Sequence, residues 1–420
     1  MGKFRVVAVV VCAIFLVSLV SIPFANADWI MFRTDTSHSG AGTGNPALTS
    51  NLLWKYTTGY GVDSSPAVVN GVVYVGSEDG KIYALDAYSG AKLWSYLTGN
   101  EVESSPTVAN GVVFIGSDDG NVYALNATSG IQLWSYPTGD EVQSSPTVVN
   151  GVVYAGSNDG NVYALDASSG SELWNYTTGW SVYSSPAVVN GVVYIGSWDG
   201  NVYALDASSG AKLWNYTTGM DVINSSPAVV NGVVYVVSKD GNVYALSTIN
   251  GDKLWNYTAG SVVYSSPAVV GGVVYVGSGD GKVYALKASS GAKLWSYTTG
   301  TSGGGVRSSP AVVGGVVYVG SGDGKVYALK ASSGAKLWSY TTSNWVYSSP
   351  AVVNGVVYVG SQDGNVYALG ASSTLSPSQS PIVPEFFGQM LGIALAVSMI
   401  IVLSAVIAAK KRKIEKIQRS

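Results

Sequence analysis

Between residues 52 and 370 the apolar positions fall into short runs, and the same four runs recur in the same order along the chain. In the copy at 184–219, SSPAVVNGVVYIGSWDGNVYALDASSGAKLWNYTTG, the first run covers 184–189 and carries Pro186 near its start, where a strand tolerates proline best. Asn190-Gly191 follows, the dipeptide favoured by two-residue type I′ hairpins because both central residues take positive φ. A second run over 191–195 is rich in β-branched residues and tyrosine, and Ser197-Trp198-Asp199-Gly200 turns the chain into a third over 201–205. A turn over 206–210 leads to a fourth run over 212–217. The pattern predicts four antiparallel strands per copy and little helix.

A Leu-Trp pair recurs with the repeat, at Trp54, Trp94, Trp134, Trp174, Trp214, Trp255, Trp295 and Trp338. The spacings are 40, 40, 40, 40, 41, 40 and 43 residues. Four antiparallel strands repeated at this period describe a β-propeller blade, because a twisted four-stranded sheet must bury both faces against neighbours. The fold class is therefore all-β, an eight-bladed propeller over 51–371. Its last copy lacks a Leu-Trp strand, and an orphan Leu-Trp strand at 51–57 precedes the first copy. That strand is expected to complete the last blade and latch the ring, which protects the sheet edges.

The ends read differently. Lys3 and Arg5 precede an apolar run, and Ala25-Asn26-Ala27 offers a small-residue cleavage site, so 1–27 reads as a signal peptide. A lead-in segment occupies 28–50. A Ser/Pro-rich linker at 372–386 precedes 387–409, which is free of charge and long enough to cross a bilayer, and then the basic tail 410–420. Positive flanks stay cytoplasmic, so a monomeric propeller tethered outside a cell membrane is expected. The chain carries −3 overall; the signal holds +2 and the tail +5, which leaves −10 on the exported part. Such a surface disfavours nucleic acid as a partner. The one cysteine, Cys12, lies in the signal, so the exported part has no disulfide, thiolate metal site or cysteine nucleophile. The one histidine, His38, lies outside the repeats, which leaves the propeller without a Ser-His-Asp triad or a multi-histidine metal centre.

The stretch ALDASSGAKLW, 204–214, resembles the propeller repeat of the pyrroloquinoline-quinone (PQQ) enzyme superfamily, with its Ala-x-Asp-x-x-x-Gly-x-x-x-Trp docking pattern. The resemblance implies that each Trp stacks on the Gly of a neighbouring blade, as Trp214 would on Gly251. The lead-in, Asp28-Trp29-Ile30-Met31-Phe32-Arg33 with His38-Ser39-Gly40, looks like that of non-enzymatic members. The docking Asp is kept at Asp86, Asp166 and Asp206 but is Asn126, Ser247, Lys287, Lys330 and Gly370 elsewhere. Quinoprotein dehydrogenases of the superfamily hold PQQ with Ca²⁺, usually beside a disulfide of adjacent cysteines and long insertions, and this chain has neither feature. No cofactor or metal is expected. A PQQ/Ca²⁺-dependent oxidoreductase and a BamB-like envelope assembly scaffold remain the alternatives. Pro384-Glu385-Phe386 before the apolar span is similar to an archaeal PEF-type sorting signal.

Eight internal copies allow the chain to be compared with itself. The Asn-Gly and Ala-Ser-Ser-Gly turns of one rim scarcely change, whereas the connections of the opposite rim vary. Their acidic positions include Asp63, Glu78, Glu103 and Asp118; their aromatic positions are Trp180, Tyr183, Trp198, Tyr264, Trp345 and Tyr347. An acidic arc and an aromatic arc on one face suit a protein or glycan ligand, since exposed Trp and Tyr offer flat apolar area with a polar tip. Asn126, Asn175, Asn215 and Asn256 stand in glycosylation sequons. The Asp-Gly turn residues, one per blade, read as hairpin chemistry.

Overall fold

A computed structural model describes residues 28–219, 223–300 and 304–371. The signal peptide 1–27, linker 372–386, apolar span 387–409 and tail 410–420 lie outside the described residues. Within them stand eight sheets, each with four antiparallel strands from the repeats, and no helix. The blade formed by the copy at 184–219 consists of Ala187–Val189, Val192–Gly196, Asn201–Asp206 and Lys212–Thr217, from the channel outward. Its first strand starts at Ala187, three residues later than the apolar pattern predicts. Pro186 has no N–H to give a ladder, and the two serines before it bond elsewhere. Asn190 and Gly191 take φ of 51° and 75°, as the type I′ turn requires.

The core lies between blades. Ala187, Tyr194, Val202 and Ala204 of one sheet pack against Val229, Val234, Val236, Tyr244 and Leu246 of the next. Burying both faces in this way is what makes every third run, such as NVYALD, almost wholly apolar inside.

Three devices close the ring. The strand Asn51–Thr57 pairs antiparallel with Asn365–Gly370, so the first and last parts of the repeat array share a sheet. The tryptophans then dock each blade on its neighbour. Trp214 Nε1 donates to the carbonyl of Thr248 at 3.1 Å, and its ring covers Gly251, where a Cβ would come within 2.7 Å. Six further tryptophans repeat this on the corresponding carbonyls from Ala87 to Ala331. The eighth, Trp338, has no such turn to meet in the last blade and donates instead to Ala47 of the lead-in at 2.9 Å. Tyr318 Oη joins it on the same carbonyl.

The third device is a ring of serines. The second serine of each Ser-Ser-Pro donates its backbone N–H to the Oγ of the same serine one blade on. The series runs from Ser65 to Ser105 and round to Ser349, which donates back to Ser65, at 2.9–3.0 Å throughout. The first serine of each pair accepts an N–H from its own blade's second strand, as Ser184 does from Gly196.

The lead-in threads the channel inside this ring. It hydrogen-bonds the middle residue of the innermost strand in six blades: Val68, Val108, Val188, Val229, Val269 and Val312. Ala41–Gly42 lies parallel to Ala311–Val313 as an extra strand. Arg33, buried at 3% exposure, donates to the carbonyls of His38, Ser266 and Pro267. Burial lowers its pKa to about 9.

Candidate functional site

The residues just before Ser-Ser-Pro stand at the inner ends of the blades, so the eight copies bring eight different side chains to one place. They line the mouth of a funnel of about 260 Å³ around the propeller axis, with the serine ring and Phe32 below them. Asp63 and Glu103 stand on one side; Tyr183, Tyr264, Arg307 and Tyr347 line the other, with Gln143 between the two groups in chain order and Asn224 within the second. The positions before Asp-Gly flank this mouth from the same rim. The backbone N–H of Glu78 bonds Gly61, and that of Trp198 bonds Ser181, each tying this turn to the preceding connection.

On the acidic side the carboxylates crowd. Gln362 Nε2 bridges Asp63, at 2.6 Å, and Glu78. Gln143 Nε2 donates to Asp118 at 3.0 Å. Carboxylate oxygens of Glu101, Glu103 and Asp118 lie within 4.8 Å of one another, near enough to share a cation, though Ca²⁺ commonly takes six to eight oxygens. Burial raises Glu103 to about 8, and the neighbouring charges of Asp118 and Asp63 add to it. Asp63 rises to about 6 through burial, with Glu78 adding and the Gln362 hydrogen bond opposing. Asp118 rises to about 6, again through burial, against the Gln143 hydrogen bond.

On the other side the aromatic rings are joined by cations. Tyr183 and Trp198 stack at 4.5 Å with planes 22° apart. Lys239 Nζ lies 4.8 Å from the Trp198 ring and 5.4 Å from Tyr264. The Arg307 guanidinium sits 4.7 Å from Tyr264 and 4.9 Å from Tyr347, and Trp345 packs on Tyr347 at 5.4 Å. This ladder crosses five consecutive blades.

The structure thus gathers Asp63, Glu78, Glu103, Asp118, Tyr183, Trp198, Tyr264, Trp345 and Tyr347 at or beside one mouth. Trp180 is set apart as a loop tip, 64% exposed. Sequence reasoning passed over Lys239, Arg307 and Phe32. The first two were visible as odd members of the variable positions, but their role depends on rings from neighbouring blades. The sequon asparagines Asn175, Asn215 and Asn256 stand exposed on fourth strands, while Asn126 Oδ1 caps its own turn through the N–H groups of Thr128 and Ser129. The Asp-Gly carboxylates hold their turns together, as Asp199 does by accepting from Gly179 N, Asn201 N and Tyr203 Oη.

A family model described as outer membrane protein assembly factor BamB matches residues 45–181, 177–309 and 299–376. The chain belongs to this PQQ-like propeller family. No curated protein matches its sequence. BamB from Moraxella catarrhalis superimposes with a TM-score of 0.66 at 22% identity, covering 77% of this chain and 100% of that one. A europium-containing methanol dehydrogenase gives 0.68 at 16% identity, covering 84% and 93%. The quinohemoprotein alcohol dehydrogenase of Comamonas testosteroni gives 0.68 at 17%, covering 82% and 81%. At these identities the likeness establishes the shared eight-bladed fold, and assembly factors and enzymes both carry it.

Proposed function

We propose that this protein is a non-catalytic, surface-tethered binding and scaffolding propeller that engages a protein or glycan through its variable rim. One observation carries the reading. The copies agree at the serine ring, which joins all eight blades, and differ at the positions that the fold collects around the funnel. Side chains that serve only the blade would have no reason to diverge there into segregated acidic and aromatic–cationic arcs.

The PQQ/Ca²⁺ oxidoreductase is the main alternative, and the mouth suits that cofactor poorly. Its rings are already stacked on Trp198, Lys239 and Arg307, so they offer no pair of faces between which a flat quinone could lie. A BamB-like assembly role is a special case of scaffolding and would use the same rim.

Capture from native cell envelope by the purified full-length chain tests the reading. The triple replacement of Trp180, Trp198 and Trp345 by Ala should lower recovery of the partner at least tenfold while far-UV circular dichroism stays unchanged. Undiminished capture by the folded variant would refute it. Addition of PQQ and Ca²⁺ should give neither a bound chromophore nor dye reduction.

A further inference from the structure

The two sides of the funnel mouth differ in charge as well as shape. The Arg307 guanidinium lies against two tyrosine rings, Tyr264 and Tyr347, and these cation–π contacts restrain it at the mouth. Among the described residues no carboxylate pairs with Arg307 or Lys239; the ion pairs present are Lys81–Asp79, Lys282–Asp280 and Lys325–Asp323, all within hairpin turns. Nor does Arg307 donate a hydrogen bond to a described residue. A planar guanidinium with no acceptor among the described residues matches the geometry of a carboxylate, which it can meet with two parallel hydrogen bonds.

Across the mouth, Asp63, Glu78 and Asp118 accept hydrogen bonds from amide side chains, and among the described residues no cation pairs with these carboxylates or with Glu103. Asp63 and Arg307 both line the funnel and feel each other's charge without touching. The molecule therefore holds unpaired positive and negative groups apart across a cleft.

We propose that the mouth binds a zwitterionic ligand, its carboxylate on Arg307 between Tyr264 and Tyr347 and its ammonium against Asp63 and Glu103. The aliphatic or ring portion between the two charges lies over the tyrosines. This deepens, and rests on, the reading of the variable rim as the binding face. The free amino and carboxyl groups of a small molecule and the oppositely charged side chains of a partner segment present the same chemistry. A ligand with only one charge satisfies one wall and leaves the other uncompensated. The raised affinities of Glu103 and Asp63 for protons fit this arrangement, because an incoming ammonium replaces the protons that burial and the neighbouring carboxylates have retained there.

Three probes of equal length separate the terms: 6-aminohexanoate, hexylamine and hexanoate, titrated calorimetrically into the full-length chain. The zwitterion should bind at least tenfold more tightly than either single-charge probe. Arg307→Gln should remove that advantage and weaken hexanoate while leaving hexylamine within twofold. Asp63→Asn with Glu103→Gln should do the reverse, weakening hexylamine and sparing hexanoate. Equal binding of hexylamine and 6-aminohexanoate, or indifference of the zwitterion to Arg307→Gln, would overturn the proposal. So would absence of zwitterion binding to the native chain. If envelope capture persists in that case and still depends on Trp180, Trp198 and Trp345, the binding-face reading stands and the ligand assignment alone fails. A zwitterion that competes with captured partner supports both.

Discussion

At Glu103 the fold holds a carboxyl group where ionisation is costly, and the cost has a pH signature. Its folded pKa, about 8, lies above the ordinary carboxylate value, so between roughly pH 4.5 and 8 the folded chain binds more protons than the unfolded one. The contribution to stability is present below that window and is lost as pH rises through it. Glu103→Gln should therefore stabilise the protein by about 1–3 kcal/mol at pH 8.5 and by little at pH 4.5, read from urea midpoints. A larger gain at the acid end would contradict the assignment. His38 works in the opposite sense. Burial, with the charge of Arg33, lowers it to about 3, so stability falls as pH drops from 6.5 toward that value. The identity of Glu103 as a variable, acidic position was legible from the chain alone. Its proton affinity was not, because it depends on burial at the funnel mouth and, after that, on Asp118 and Asp63 from other connections. Arg307 shows the same limit: a lone basic residue in the sequence becomes the centre of a stack only when two neighbouring blades supply its tyrosines.

At the level of elements, the strands, turns and their order could be read almost residue for residue, since short apolar runs, Asn-Gly turns and a fixed repeat all agree. The first strand is shorter than its apolar run, Ala187–Val189 within 184–189, because the Ser-Ser-Pro before it does not join the ladder. Its serine hydroxyls instead accept backbone N–H groups, and no local signal distinguishes a serine that bonds its own blade's strand from one that bonds a neighbouring blade. Ser226→Ala should leave the buried N–H of Ser185 without its acceptor and cost about 1–3 kcal/mol, measurable as a lower urea midpoint. An unchanged midpoint would show that the serine ring contributes nothing. The Trp–Gly docking offers a paired test. Gly111 and Gly130 take similar φ of 76° and 70°, yet a Cβ on Gly111 meets nothing within 4 Å, whereas on Gly130 it comes within 2.7 Å of the Trp94 ring. Gly111→Ala should cost about 1–2 kcal/mol for the left-handed backbone. Gly130→Ala should cost at least about 1 kcal/mol more, since the indole must also shift. Equal losses would mean that the docking is loose.

For the whole molecule, closure by 51–57 followed from counting an orphan strand against an incomplete blade, and the pairing with Asn365–Gly370 bears it out. The threading of the lead-in through the channel left no trace in the sequence. Its bonds to Val68, Val108, Val188, Val229, Val269 and Val312 are made by backbone atoms, which any sequence carries. The lead-in nonetheless shapes the proposed binding face, because Phe32 helps to line the funnel and Ala47 supplies the carbonyl that the last blade lacks. The resulting molecule has one uniform rim and one diverse rim, and recognition is proposed to belong to the second. Site-specific photocross-linking in native cells separates the two rims, with the photoreactive residue placed at Gln143 or Asn224 on the diverse rim and at Ser169 or Ser209 on the uniform one. A discrete cross-linked partner is expected from the first two positions and none from the others. Cross-linking to the same partner from Ser169 and Ser209, with Gln143 and Asn224 silent, would contradict recognition by the diverse rim.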